Sequence, residues 1–323
     1  VEEKIKETDM ANEDEEAEED ALSEESEAGE DKEVSQSHRY KDKVSLDINV
    51  CILGKPNAGK SSLMNTILGT ERVIVSDIPH TTRESQDSIV DYEGKKITFV
   101  DTAGFSRQEH RIVKKKKSRI HPEELKTEND LFMLGMASSL TALKRADIAI
   151  FVIDITQDIT LEESKILEEI GKKKKSIIIL ANKWDKVDDK DTKKYTEYIY
   201  NNFPFIAWAP IHFASAKTGL KVDKLLDLIL EIDKARRTQL SDSVLNKFLV
   251  DIVKIHKPAK AKGVKHPRIY ELSQSGTCPP DFKIRIGNKD TLHFSYLHFI
   301  QNRLRDKYGF KGTPISMWVK KGR

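Results

Sequence analysis

Cysteine is nearly missing from this chain of 323 residues: only Cys51 and Cys278 occur. Two lone cysteines exclude a disulfide framework and a cysteine-rich zinc site, and they fit a reducing cytoplasm. Cys51, inside an apolar stretch, is expected to be a buried core thiol. Long apolar runs are missing too. None approaches the roughly 18 residues needed to cross a bilayer, so no membrane partner is expected. The first residues are acidic, which excludes the basic, then apolar pattern of a cleavable secretion signal. Residues 1–44 have few aromatics and no sustained apolar period. They are expected to be a disordered acidic linker, either solvated or lying over a basic face of the same chain.

Charge is plentiful but unevenly placed. The formal net charge of +2 conceals a segment 1–40 with 17 Asp/Glu against 4 Lys/Arg. The remainder is therefore basic, and residues 241–323 alone hold 17 Lys/Arg against 6 Asp/Glu. A basic domain of this kind calls for a polyanion, most simply nucleic acid.

The stretch Gly54-Lys55-Pro56-Asn57-Ala58-Gly59-Lys60-Ser61 has the GxxxxGKS spacing of a phosphate-binding loop. Apolar residues before it read as a strand and Ser62 to Leu68 as the helix after it. Gly54 and Gly59 permit the tight turn that points several N–H groups at one cluster of phosphate oxygens. Amides of Asn57, Ala58, Gly59, Ser61 and Ser62 belong to this cradle. Lys60 adds a point charge against the outer phosphates, and the Ser61 hydroxyl suits Mg²⁺.

Further motifs follow in order. Asp101-Thr102-Ala103-Gly104 comes after an apolar strand. Asp101 can hold a Mg²⁺-bound water, and the Gly104 amide can meet the γ phosphate. Asn182-Lys183-Trp184-Asp185 follows another apolar strand. The Asp185 carboxylate can accept from guanine N1–H and the 2-amino group, which adenine does not offer in that place. Asn182 can bond to the base and to neighbouring loops, and the Lys183 stem can cover the base plane. Ser215-Ala216-Lys217 supplies an amide near the guanine O6, with Lys217 alongside. The set predicts GTP or GDP as ligand. Within Thr81-Thr82-Arg83, Thr82 is chosen over Thr81 to complete the Mg²⁺ shell, and the role of Arg83 stays open. Phe105 stands where many GTPases place a water-orienting glutamine, and a phenyl ring cannot align water. Asn57 can help hold a monovalent cation, or can simply stabilise the loop.

Strands are expected at 46–53, 87–92, 96–101, 147–153, 176–181 and 210–213. Helices are expected at 60–68, about 130–144, 161–171, 190–202 and 221–234. That alternation predicts a three-layer α/β domain with its ligand beyond the carboxyl ends of the strands. A second unit is expected to run α-β-β-α-β: a helix at 241–256, strands at 268–274 and 281–287, a helix at 295–307 and a strand at 315–320. It makes a small sheet with helices on one side, common among RNA-binding modules.

The motifs GKPNAGKSSLMN, HTTRESQDS, DTAGF and NKWD resemble the second GTPase domain of the Der (EngA) family, within the Era-like GTPases of the translation-factor class. RTQLSDSVLNKFL and TCPPDFKIRIGNKDTLHFSYLHFIQNRLRDKYGFKGTPI resemble the family's C-terminal KH-like domain. The resemblance covers about 46–323 and implies an α/β P-loop GTPase domain (45–236) with a mostly parallel sheet, then a small α+β KH-like domain (237–323). It implies Mg-dependent, potassium-stimulated GTP hydrolysis, with Lys60, Asn57, Thr82 and Gly104 around the reacting phosphate and Ser61, Thr82, Asp101 and Asn57 as ion-holding residues. It further implies a cytoplasmic factor, expected to be a monomer, acting on the large ribosomal subunit or its precursor, both rRNA and ribosomal proteins. It implies, too, that the KH-like domain packs against a GTPase domain. In the family two GTPase domains precede the KH-like domain, joined by an acidic linker that 1–44 resembles; with one GTPase domain in this sequence, a fragment lacking the first is expected, and a naturally short protein is the alternative. The alternatives are a GTPase for tRNA modification or small-subunit assembly, and a guanine-nucleotide binding module with little hydrolysis. Gly309-Phe310-Lys311-Gly312 has the GxxG spacing of an RNA clamp but is expected to be a turn, because it follows the helix at 295–307. The lysines at 114–117 suit either an RNA-phosphate contact or a solvated switch loop.

Overall fold

The structure is a computed structural model, and it describes residues 47–76, 87–101, 140–259 and 266–322. The first sheet has the order β2-β3-β4-β1-β5-β6-β7. Its strands are β1 (Ile48–Leu53), β2 (Ile74–Ser76), β3 (Ser88–Tyr92), β4 (Lys95–Phe99), β5 (Ile148–Asp154), β6 (Ser176–Asn182) and β7 (Ile211–Phe213). β3 runs antiparallel to β2 and β4, and every other neighbouring pair is parallel. Four helices accompany this sheet: α1 (Lys60–Leu68), α2 (Leu161–Lys172), α3 (Thr192–Asn202) and α4 (Val222–Arg236). Residues 140–145 are also helical, within the expected helix at about 130–144, whose earlier part lies outside the described residues.

Every residue of β5 and β6 is buried. Strands buried along their whole length, with apolar runs from 148 to 153 and from 177 to 181, belong in a parallel sheet covered on both faces. Successive side chains point to opposite faces, and the two cores follow that alternation. Ile148, Ile150, Val152, Ile178 and Leu180 pack with Leu63, Met64 and Ile67 of α1 and Leu225 and Ile229 of α4. Ala149, Phe151, Ile153, Ile177 and Ile179 pack with Leu167 and Ile170 of α2 and Ile199 of α3. Cys51 sits in the second core, and burial pushes its thiol up to about 12, so it is inert at neutral pH.

The second sheet, β10-β9-β8, is built from β8 (Ile269–Gly276), β9 (Asp281–Ile286) and β10 (Ser316–Lys321). β9 is antiparallel to β8 and parallel to β10. Helices α5 (Asp242–Ile255) and α6 (Phe294–Tyr308) supply Leu245, Phe248, Ile252, Ile300 and Leu304 to a third core with Leu272, Phe282 and Ile284. The chain order α-β-β-α-β is the expected one.

The tetrad at 309–312 is a turn, with φ of 90° at Gly309, 59° at Phe310 and 64° at Gly312. It seats the second sheet on the start of β6. The Gly312 carbonyl accepts from the Ile177 amide at 2.8 Å, and the Ser176 and Thr313 hydroxyls hydrogen-bond at 2.9 Å in a buried position. Nearby, Lys311 pairs with Glu231 at 2.8 Å, and the Arg305 guanidinium lies 4.9 Å from the Trp208 ring centroid. The Cys278 amide donates to the Arg236 carbonyl at 3.1 Å.

Candidate nucleotide-binding site

Parallel pairing puts the carboxyl ends of β4, β1, β5, β6 and β7 on one edge of the first sheet, where a doubly covered α/β sheet leaves its crevice. Each strand there hands over to a motif. After β1 comes the phosphate loop, with positive φ at Gly54 (146°), Asn57 (63°) and Gly59 (98°). The alternation of hands turns successive amides toward one concavity. Two glycines are required by contact as well as by φ. A Cβ on Gly54 would stand 2.3 Å from the Val152 carbonyl oxygen, and one on Gly59 would stand 2.1 Å from Asn182 Nδ2. The Lys60 ammonium bridges the loop to the Lys55 carbonyl at 2.6 Å. Ala58 is buried, Lys60 and Ser61 are half-buried, and Asn57 and Ser62 are exposed.

Asn182, at the end of β6, is a tie between loops. Its Nδ2 donates to the Ala58 carbonyl at 2.7 Å, and its Oδ1 accepts from the Ala216 amide at 2.9 Å. Thr66 Oγ1 of α1 donates to the Ala216 carbonyl at 2.5 Å. The phosphate loop, the loop after β6 and the loop after β7 are therefore one hydrogen-bonded body. Asp185 stands in the short 3₁₀ turn Trp184–Lys186. Its Oδ1 is buried without a hydrogen-bond partner among the described residues. The Ser215 hydroxyl beside it, against the opposing effect of burial, holds its carboxyl below the usual carboxylate range. An ionised oxygen with an unused lone pair is what a donor-rich base edge requires. Ser215 and Ala216 are buried, while Lys217 is exposed.

Two contributors lay beyond the motif reading. Asp154, the last residue of β5, accepts from Lys183 Nζ at 2.6 Å and from the Thr156 hydroxyl at 2.6 Å. Burial would raise the Asp154 carboxyl, but the Lys183 ammonium and the Thr156 donors outweigh it and bring it below its ordinary value. Asp154 thus fixes the Lys183 stem, whose backbone is left-handed with φ of 63°. An aspartate closing an apolar strand level with Asn182 was the available signal. The second is Asp87, whose Oδ1 accepts from the Asp101 amide at 3.0 Å while its carboxylate pairs with Arg145. β4 ends at Phe99, two residues short of the expected strand end, and Asp101 takes φ of 58°. Asp87 accordingly holds the first residue of the DTAG segment in a conformation that an aspartate tolerates but does not favour.

Thr82 and Gly104, with Thr81, Arg83, Phe105 and the lysines at 114–117, lie outside the described residues. Among the described residues no three His, Cys, Asp or Glu side chains gather into a metal cluster. A divalent ion here would take few protein ligands and complete its shell with phosphate and water, which is the habit of Mg²⁺. The Ser61 hydroxyl and Asp101 fit that donor set. No helix among the described residues is long and apolar enough to cross a membrane.

The strand order, the phosphate loop and the Asn182–Asp185–Ser215 corner define a P-loop GTPase domain of the guanine-reading kind, followed by a KH-like domain. Residues 49–183 match the family described as 50S ribosome-binding GTPase, and residues 239–320 match the KH-domain-like C-terminal domain of EngA bacterial GTPase enzymes. The chain is 38% identical over 289 residues to GTPase Der of Caldicellulosiruptor saccharolyticus, covering 87% of this chain and 62% of that protein. It is 39% identical over 268 residues to GTPase Der of Lachnospira eligens, covering 82% and 57%. The chain belongs to the Der (EngA) family, and it spans about three fifths of the length of these curated relatives. A solved structure of Era, in complex with MgGDPNP and a segment of 16S ribosomal RNA, is 21% identical and covers 85% of this chain and 93% of its own, at a TM-score of 0.41. That superposition is too loose to bear on function.

Proposed function

We propose that this chain binds GTP, hydrolyses it to GDP and phosphate, and uses the nucleotide state to control a step in assembly of the large ribosomal subunit. The observation that carries the nucleotide reading is the buried, unpartnered Asp185 oxygen in a corner that Asn182 bonds to the phosphate loop. Base identity and phosphate position are then read by one rigid body. The loop amides from Asn57 to Ser62 and the Lys60 ammonium hold the phosphate chain and meet the charge that grows on it as water attacks the γ phosphorus. Asp185 accepts from guanine and is left unpaired by adenine, while Lys183, held by Asp154, covers the base. Thr82 and Gly104 complete the outer-phosphate end. Ser61 and Thr82 would hold Mg²⁺, with Asp101 reaching it through water. Once bound, the ion neutralises phosphate charge. Asn57 would lend its carbonyl oxygen to K⁺ beside the phosphates. With Phe105 unable to orient water, the attacking water is held by backbone groups or by a partner.

Ribosomal association is supported by family membership and by the basic stretch 241–323. We assign 1–44 to a linker, 45–236 to the GTPase domain and 237–323 to the KH-like domain. The active form is a cytoplasmic monomer. Calorimetry with GDP and ADP tests the site, and equal affinity for both would overturn it. Turnover in K⁺ against Na⁺ tests the hydrolysis: K⁺ is expected to stimulate, and Asn57→Ala to abolish the stimulation. Co-sedimentation with large-subunit precursors in GDP and in a non-hydrolysable GTP analogue tests the partner. Pelleting with small subunits instead would redirect it.

A further inference from the structure

The second sheet carries α5 and α6 against one face, and its other face has a composition of its own. Cross-strand register sets Trp318 beside Lys283 beside Ser273, and Lys320 beside Arg285 beside Glu271. Their chain neighbours Leu272, Phe282 and Ile284 are fully buried in the helix-side core. Alternation therefore places both rows on the opposite face. Of the three tryptophans, Trp184 is buried and Trp208 half-buried, while Trp318 is 43% exposed. Its indole Nε1 donates to Asp281 Oδ2 at 3.0 Å, and the same oxygen accepts from Ser275 at 2.6 Å. The ring is thus pinned in one orientation with much of its surface open.

The electrostatics of the face favour an anion. Glu271 is engaged by Arg285 at 2.7 Å and Asp281 by Trp318 and Ser275. Lys283 and Lys320 make no ion pair among the described residues. A fixed aromatic plate flanked by free ammonium groups is the combination that binds unpaired nucleotides, the base stacking on the ring and the phosphates meeting the cations. A duplex offers no free base face to such a plate.

We propose that this open face is a stacking platform for single-stranded RNA, with Trp318 taking a base and Lys283 and Lys320 the adjoining phosphates. The site is separate from the turn at 309–312, which is used for docking on β6. The inference deepens the ribosomal reading by naming the form of RNA and the residues that hold it, and the two fail separately.

The test titrates the full chain with a short oligouridylate and with an RNA duplex of equal length, following tryptophan emission and anisotropy. The single strand is expected to bind with quenching and the duplex more weakly. Trp318→Ala should weaken single-strand binding about fivefold to a hundredfold, as loss of one base–aromatic stack does. Trp318→Phe should retain most of it. The double variant Lys283→Glu, Lys320→Glu should weaken binding and lower the salt slope by about 1.4 for two lost single-strand phosphate contacts. Unchanged far-UV circular dichroism and denaturant-unfolding midpoint certify folding of each variant. Equal oligonucleotide affinity in the parent and Trp318→Ala, or tighter binding of the duplex, overturns the proposal. So does quenching by a peptide of residues 1–44 without quenching by RNA, which would make the acidic segment the occupant. Trp318-dependent RNA binding without co-sedimentation with subunit precursors would leave the platform standing and remove the ribosomal reading.

Discussion

Asp185 shows how much can hang on one carboxylate. Two charge-assisted hydrogen bonds to a base edge contribute about 1.5–3 kcal/mol each. Asp185→Ala is therefore expected to weaken GDP binding at least about a hundredfold, with ADP affinity unchanged, in paired calorimetric titrations. Asp185→Asn exchanges one acceptor for a donor, which matches the N1–H and 2-oxo group of xanthine, so the variant should prefer XDP to GDP. The pH dependence follows in sign. The Asp185 carboxyl lies below its ordinary range, chiefly through Ser215, so the binding-competent ionised form persists on acidification. Guanine selectivity should survive down to about pH 5 and be lost only as pH falls through the lowered value. A loss already complete near neutral pH would show that another group governs it. Asp87 gives a second test at this scale. Asp87→Asn keeps an acceptor for the Asp101 amide but drops the ion pair with Arg145, whereas Asp87→Ala removes both. If the amide bond is what matters, the Mg²⁺ concentration for half-maximal turnover should rise several-fold in Asp87→Ala and little in Asp87→Asn or Arg145→Ala. Equal shifts in all three would assign the effect to the ion pair.

Elements differ in how plainly the chain announces them, and the reason is physical. β5 and β6 are apolar between their ends because both of their faces are covered, and the expected bounds miss by one residue at most. α1 begins inside the GKS motif, at Lys60 with Gly59 as its cap, so its span was legible in full. β2, three residues with an exposed Ile74, has no periodic pattern and exists only through pairing with β3. α3 starts later than expected because Asp191 accepts from the Lys193 and Lys194 amides and stops the helix there. Among the described residues, the phosphate loop, the NKWD motif and the loop after β7 come together on one edge of the first sheet, and that juxtaposition was legible from contiguous motifs. The site was illegible where chemistry is assembled across the fold: Asp87 meets partners 14 and 58 residues away. α2 offers a measurable case of local control. Thr160 and Glu163 form a capping box at its start, with the Thr160 amide donating to the Glu163 carboxylate at 2.8 Å. The Thr160 hydroxyl also accepts from Lys55 of the phosphate loop at 3.0 Å. Thr160→Ala should cost about 1 kcal/mol in denaturant unfolding. Thr160→Ser, which keeps the oxygen, should cost much less.

At the scale of the whole molecule, the second sheet is joined to the strand that ends in Asn182. Ser176 and Ile177 at one end of β6 hold the turn at 312–313, and Asn182 at the other end holds the phosphate loop. The seat is tight. A Cβ on Gly312 would lie 2.5 Å from Ile232 Cδ1, 2.8 Å from its Cγ1 and 3.1 Å from Pro210 Cδ. Ile232 is fully buried and has little room to yield. Gly94 has a similar backbone, φ of 72° against 64°, but open space around it. Gly94→Ala therefore measures the left-handed penalty alone, about 1–2 kcal/mol, whereas Gly312→Ala adds about 1–3 kcal/mol of overpacking. The excess should appear in denaturant unfolding, together with faster proteolysis between α4 and α5 as the second sheet loosens. A cycle on the buried hydroxyl pair separates packing from hydrogen bonding. Thr313→Val strands the Ser176 hydroxyl and should cost about 1–3 kcal/mol, while adding Ser176→Ala removes the orphan and should recover part of that loss. If the two single changes and the double simply add, the hydroxyls do not hold the seat, and the apolar contact of Gly312 on Ile232 and Pro210 carries it alone.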